Sequence, residues 1–153
     1  MANDITLRPP GADDFAAWLP LWDGYNAFYG RHGASALPPA ISRLTWQRFL
    51  DPAEPVHALL AWQGGQLLGL AHYIFHRNTL MLHHACYLQD LFTVPEARGR
   101  GVARQLIAAV ADAARQAGSP SLYWHTHHTN HAARQLYDRV ARDTGFVVYR
   151  QTF

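Results

Sequence analysis

The chain has no lysine; apart from 10 histidines, every basic residue is an arginine. A Walker-type phosphate loop, G-x-x-x-x-G-K-[ST], is excluded for want of that one residue. Cysteine is almost as scarce. Cys86 stands alone, so no internal disulfide can form, and a reducing cytoplasmic setting is the simplest expectation. No apolar run approaches the ~20 residues that a membrane-spanning helix needs. The opening MANDITLRPPGADD lacks the basic start and apolar block of a signal peptide, so no membrane partner is expected. Excess charge is missing too: a formal net charge of +2, evenly spread, does not suit a nucleic-acid partner.

What the chain does contain is apolar material. Of its 153 residues 49% are hydrophobic, enough to fill the core of a single domain spanning residues 1–153. The stretch from Tyr87 to Leu106, YLQDLFTVPEARGRGVARQL, organises the rest. Tyr87 to Val94 mixes β-branched, aromatic and aliphatic residues and reads as a strand that Pro95 stops. Beyond it Val102, Leu106, Ala109, Val110 and Ala113 recur at helical spacing. The order is therefore strand, turn rich in Gly and Arg, helix. A helix start exposes backbone N–H groups with no internal acceptor, backed by the positive end of the helix dipole. Gly99 and Gly101 bare that backbone, while Arg98, Arg100 and Arg104 add fixed charge. A phosphate or diphosphate is the natural occupant. The dinucleotide fingerprint G-x-G-x-x-G is not met, because Arg104 stands at its third glycine.

The pattern R-x-x-G-x-A at Arg98 to Ala103, after a strand ending LFTV and before a long helix, resembles motif A of the GCN5-related N-acetyltransferases. Further along, Asn130, Ala133, Leu136 and Tyr137 resemble the family's N-x-x-A-x-x-L-Y helix, and Gly145-Phe146 the GF that opens its last strands. Ile5 to Pro9 and Leu67 to Ala71 are similar to its first and third strands, so the likeness spans the chain. In detail, Tyr87-Leu88-Gln89-Asp90-Leu91-Phe92-Thr93 looks like the Y-L-E-D-F-F-V strand of spermidine/spermine and related diamine or small basic-protein acetyltransferases. The resemblance implies an α/β (α+β) fold: a mixed, mostly antiparallel sheet with one splayed pair of strands, flanked by about four helices.

In chain order, residues 4–9 read as a short strand closed by Pro9-Pro10. A helix from about Phe15 to Arg31 follows, capped by Asp13 or Asp14 and kinked or broken at Pro20. Trp18, Trp22, Tyr25 and Tyr29 share one of its faces. Most of such a stripe is core, but its outer end, Tyr25 to Tyr29, can line an acceptor pocket, since aromatic faces attract ammonium groups. The loop Gly30 to Pro39 is a candidate lid. A second helix is read over Ser42 to Asp51, with Leu44, Phe49 and Leu50 among its candidate buried residues. Strands are expected over Val56 to Trp62, Leu67 to Arg77, Leu80 to Val94, Ser121 to His127 and Phe146 to Thr152, with a helix over Asn130 to Arg142. The dense HTHHTNH at residues 125–131 lacks an accompanying carboxylate or cysteine, so no metal site is expected.

The resemblance carries a chemistry with it. Acetyl-CoA is the acetyl donor, its pantetheine arm pairing with Leu91 and Thr93 along the splayed strand that also holds Phe92 and Val94. Its diphosphate sits on the N–H groups of Arg98, Gly99, Arg100, Gly101, Val102 and Ala103, and a backbone N–H near Leu91 polarises the thioester carbonyl. Tyr137 is the candidate general acid; Asn130, seven residues earlier on the same face, orients the cofactor or caps the helix. The amine has to lose a proton first, which at pH 7 costs about 4.6 kcal/mol for a lysine-like group. Where the polyamine enzymes have a glutamate this chain has Gln89, which cannot act as a base but can hold a water. Asp90, or a nearby histidine, is then left to take the proton, although strand alternation sets Asp90 opposite Gln89. The expected activity is acetyl-CoA-dependent transfer to a primary amine, polyamine-like or on a peptide, by direct attack, with Tyr25, Tyr29 and Gln89 contacting the acceptor. The alternative is a CoA- or acyl-CoA-binding module without catalysis. A homodimer is expected by analogy, with the C-terminal FVVYRQTF as a candidate for pairing across subunits.

Overall fold

Alternating apolar residues in the middle of the chain build a five-stranded sheet in sequence order β1 to β5. The computed structural model describes residues 4–153, in which β1 is Thr6–Arg8, β2 Val56–Gln63, β3 Gln66–His76, β4 Ala85–Thr93 and β5 Leu122–Tyr123. The first four strands form an antiparallel meander, and β5 joins β4 in parallel. Four α-helices accompany them: α1 Phe15–Phe28, α2 Pro39–Leu50, α3 Val102–Gln116 and α4 His131–Val140. Together they make the mixed sheet with flanking helices that the sequence implied.

Both faces of the sheet are covered, and the strands supply apolar residues to each in turn. On one face Val102, Leu106, Ile107 and Val110 of α3 pack against Leu59, Leu68, Ala71, Cys86 and Leu88. Full burial of a Leu or Val side chain contributes roughly 1.5–3 kcal/mol, so this helix face holds α3 firmly on the sheet. Close approach is possible because Gly69 faces α3. A Cβ there would stand 2.9 Å from both the Phe92 carbonyl oxygen and Val102 Cγ1. On the other face Trp18, Leu21, Trp22 and Tyr25 of α1 and Trp46 of α2 pack on Leu60, Leu67 and Leu70.

Several sequence expectations are corrected. Helix α1 runs through Pro20 without a break. The missing proline N–H removes one helical bond, whereas the buried stripe Trp18, Leu21, Trp22 and Tyr25 spans both sides of it and holds the segment to the sheet. In α2, Leu44 and Leu50 are exposed; Ser42 and Trp46 are the buried residues and Phe49 is partly covered. Trp22 explains Ser42, donating its indole N–H to the Ser42 hydroxyl at 3.1 Å. Residues 77–84 are loop, so β4 starts at Ala85, and β5 covers two residues instead of seven. Helix α4 ends at Val140. The expected final strand makes no ladder: residues 142–153 are irregular, and Phe146, Val147, Val148, Tyr149 and Phe153 lie exposed. Apolar alternation proposes a strand, but a strand needs a neighbour, and among the described residues of one copy this segment has none.

Candidate active site

Strand β4 is the hinge of the site. Its pairing with β5 is confined to Cys86↔Leu122 and Tyr87↔Tyr123. Beyond Tyr87 the two chains part, which leaves β4 from Leu88 to Thr93 hydrogen-bonded on the β3 side only. Trp124 and His125, just past β5, then line a narrow cleft together with Leu88, Gln89, Leu91 and Tyr137. Tyr25 and Tyr29 close its other side, and its free volume is about 40 Å³. An edge with unused backbone N–H and C=O groups receives an extended ligand as an added strand.

At the far end of β4, the Gly-Arg turn enters α3. Gly99 and Gly101 have φ of 74° and 79°, in the left-handed region where a side chain is strained. The turn therefore requires glycine at both positions, and Gly101 is the residue before the first turn of α3. No backbone N–H from Gly99 to Arg104 has an acceptor among the described residues; the first one paired is Gln105, to Gly101 O at 3.0 Å. Six donors thus have no acceptor among the described residues, at the positive end of a 15-residue helix. Arg98, Arg100 and Arg104 are exposed around them, whereas the Val102 side chain is buried in the core and offers only its backbone. Arg100 donates to Gln63 Oε1 and Arg98 to the Thr93 carbonyl at 3.2 Å, so two of the three guanidiniums are already positioned. Beside this turn an apolar hollow of about 380 Å³ is bounded by Leu21, Gly24, Phe28, Phe92, Val94 and Arg98. Thr93 Oγ1 is buried without a hydrogen-bond partner among the described residues.

Tyr137, on α4, packs edge-on against Trp124 at 5.4 Å. Its hydroxyl has no hydrogen-bond partner among the described residues, and burial, with a lesser push from Tyr29, raises its pKa to about 12. The phenol is therefore protonated throughout the physiological range. Asn130 precedes α4 but makes no capping bond; its amide donates to Thr126 Oγ1 at 3.3 Å. Of the two roles the sequence left open for it, capping is not taken.

The sharpest departure from the sequence reading lies at Gln89. The β3–β4 register runs Tyr73↔Leu88 and then His72↔Asp90, so Gln89 is an extra residue with no cross-strand partner. A bulge of this kind reverses the alternation that follows it. Gln89 is exposed in the cleft, and Asp90 turns into the α1 face, only 7% exposed. There a polar chain crosses the aromatic core. Trp18 donates its indole N–H to His72 Nε2 at 3.0 Å, which fixes the ring proton on Nδ1, and that N–H donates to Asp90 Oδ2 at 3.0 Å. Burial, and after it the nearby charge of Asp90, raises the Tyr25 pKa. Asp90 is thus a buried carboxylate held by the His72 imidazole, with Tyr25 of the cleft wall nearby. No pattern in the sequence signalled His72, which sits in the middle of an apolar strand.

The aromatic stripe on α1 runs from core to cleft as expected. Trp18 and Trp22 stack at 5.7 Å, Trp22 and Tyr25 at 5.4 Å, and Tyr25 meets Tyr29 at 5.0 Å. Exposure rises along it from 0% at Trp18 to 44% at Tyr29. The histidine run is dispersed: His125 faces the Tyr87 hydroxyl at 3.3 Å, and His127 folds onto Thr129 at 2.6 Å. Among the described residues no three metal-ligating side chains converge, and no helix is long and apolar enough to cross a membrane.

Comparison with known proteins agrees with this geometry. The model of the Acetyltransferase (GNAT) family matches residues 18–141. A D-amino-acid N-acetyltransferase of Saccharomyces cerevisiae, HPA3, is 35% identical over 99% of this chain and 93% of its own. The uncharacterized N-acetyltransferase YhfO of Bacillus subtilis is 34% identical over 95% of each chain. Among solved structures, the aminoglycoside N-acetyltransferase AAC(6')-Iy, crystallised with a CoA bisubstrate analogue, superposes with a TM-score of 0.82 at 19% identity, covering 98% of this chain and 99% of its own. At that identity the likeness concerns the fold.

Proposed function

Since the chain belongs to the GNAT acetyltransferase family and is an acyltransferase, we propose that it moves the acetyl group of acetyl-CoA onto a primary amine by direct attack, without an acetyl-enzyme. The observation that carries this reading is the run of acceptorless N–H groups from Gly99 to Arg104 beside a β4 edge that β5 leaves open. The two together fit a ligand with a diphosphate at one end and an amide-bearing arm at the other. In this reading Arg98, Gly99, Arg100, Gly101, Val102, Ala103 and Arg104 hold the diphosphate. Leu91, Phe92, Thr93 and Val94 flank the arm, and Asn130 steadies it from α4. What the donor supplies is an acetyl group activated as a thioester.

The protein residues then handle two protons. Tyr137 keeps one on its hydroxyl, ready for the departing thiolate, and its raised pKa guarantees that the proton is there. The other must leave the attacking ammonium. Asp90 is buried and already bonded to His72, so it is not the direct base. Gln89 and His125 face the cleft together; Gln89 holds a water that passes the proton to the imidazole. Tyr25 and Tyr29 receive the ammonium on their ring faces.

The exposed apolar C-terminal segment further favours a homodimer, in which residues 146–153 of one copy pair with the sheet of another. Light scattering on the full chain and on a variant carrying Val147→Asp and Tyr149→Asp tests this; a wild-type monomer contradicts it. The activity is tested by following thiol release from acetyl-CoA with a panel of amines. Turnover that depends on the amine is the expected result. Tight CoA binding with no turnover on any amine overturns the reading.

A further inference from the structure

Next to the cleft stands a cation without a counter-ion. Arg31 follows the end of α1, and no carboxylate pairs with it among the described residues. It is nevertheless held in place. Its Nε donates to Asn26 Oδ1 at 2.6 Å and its backbone N–H to the Asn26 carbonyl at 2.9 Å. Asn26 is only 3% exposed, and its own amide donates to the Trp22 carbonyl at 2.8 Å. The guanidinium carbon lies 5.9 Å from the Tyr25 ring and 5.7 Å from the Tyr29 ring. The two terminal nitrogens make no hydrogen bond to the described residues, although the rest of the group is braced. A fork held this way on a buried amide and two rings is prepared for a planar, bidentate anion.

Asp90 also lies near the same two rings. Both Tyr25 and Tyr29 feel its negative charge and the positive charge of Arg31 at once. The acceptor end of the cleft therefore has both signs of charge beside it, an exposed cation in Arg31 and a buried carboxylate in Asp90. A diamine would bring its second ammonium toward Arg31, where like charges repel. A molecule with an ammionium and a carboxylate a few bonds apart matches both poles.

We propose that the acceptor is a zwitterion of the α-amino-acid class, with Arg31 taking its carboxylate while Tyr25 and Tyr29 take its ammonium. This rests on the acetyl-transfer reading and deepens it. Acceptor selection then resides in a residue outside the motifs of the donor site.

The test compares alanine, methionine and phenylalanine, in D and L forms, with their amides, their decarboxylated amines and spermidine. Thiol release from acetyl-CoA is measured for the wild type and for Arg31→Gln and Arg31→Lys. The wild type is expected to favour at least one amino acid over its amide tenfold or more in kcat/KM, expressed in KM. In Arg31→Gln that ratio falls to about one, and Arg31→Lys restores part of it. A wild type that favours amides or spermidine overturns the proposal, as does a ratio that survives in Arg31→Gln. Calorimetric binding of the same amino acids and amides to the CoA-loaded protein keeps the two readings apart. Arg31-dependent binding without turnover would sink the transfer reading alone, and binding indifferent to the carboxylate would sink this one. Equal thermal melting of the variants and the wild type excludes a folding defect.

Discussion

The two halves of the cleft are made of different material. In the proposed assignment the donor half, from Leu91 to Arg104, is built from main chain: an open strand edge and six N–H groups bared by Gly99 and Gly101. The acceptor half is built from side chains gathered from α1, β3, β4 and the segment after β5, with Tyr25, Tyr29, Gln89 and His125 at its surface and Asp90 and His72 behind. A backbone site is tied to a fixed chemistry, because N–H groups offer one kind of contact to any diphosphate. A side-chain site can be rewritten one residue at a time. Under the proposal the donor end suits an invariant cofactor, and the acceptor end sets specificity.

Substitutions can break this division, and the largest effect is expected where the halves meet. Tyr137→Phe removes the proposed proton donor and little volume, so turnover should fall by roughly 10²–10⁴-fold. CoA affinity, measured by calorimetry, should stay within about threefold of wild type, because affinity resides in the main chain; equal turnover would remove Tyr137 from the mechanism. Gly101→Val acts on the donor half alone. A β-branched residue at φ 79° costs about 1–2 kcal/mol and tilts the turn, so CoA should bind at least tenfold more weakly while acceptor preference is kept. A changed acceptor preference would mean that the halves are not separable.

Asp90→Asn probes the acceptor half. His72 Nδ1–H loses its carboxylate partner inside the aromatic core, at a cost of about 1–3 kcal/mol in chemical-denaturation stability. The acceptor KM should rise while CoA affinity holds. Unchanged stability would mean that the buried chain is incidental. Cys86 belongs to neither half, and its expected effect is nil. Burial pushes its thiol up to about 11, so it is neutral at pH 7 to 8, and iodoacetamide under those conditions should leave turnover intact. Its contribution to stability has a defined sign. The unfolded thiol ionises first, so stability is lost as pH climbs from about 9 to 11, and unfolding curves across that window should follow.

The same division explains how much could be read in advance. The donor half was legible because its signals are local: a strand stopped by Pro95, glycines where φ is positive, and apolar residues at helical spacing in α3. The meander β1 to β4 was legible for the same reason. The acceptor half was not, because it rests on a one-residue bulge at Gln89 that period-2 reasoning does not contain. That slip moves Asp90 to the α1 face and joins it to His72, 18 positions earlier, and through His72 to Trp18. Arg31 was passed over because a lone arginine in a loop carries no pattern; its meaning comes from Asn26 and the two rings. The final strand was over-read, since Phe146 to Thr152 alternates well but finds no partner among the described residues of one copy.

The most direct measurement is a crystal structure of the protein with coenzyme A at saturating concentration. The diphosphate oxygens should lie about 2.7–3.2 Å from the backbone nitrogens between Gly99 and Arg104, with the pantetheine arm along β4 at Leu91 to Thr93. Density for the diphosphate anywhere else, or an empty turn at saturation, would contradict the assignment of that backbone as the donor site.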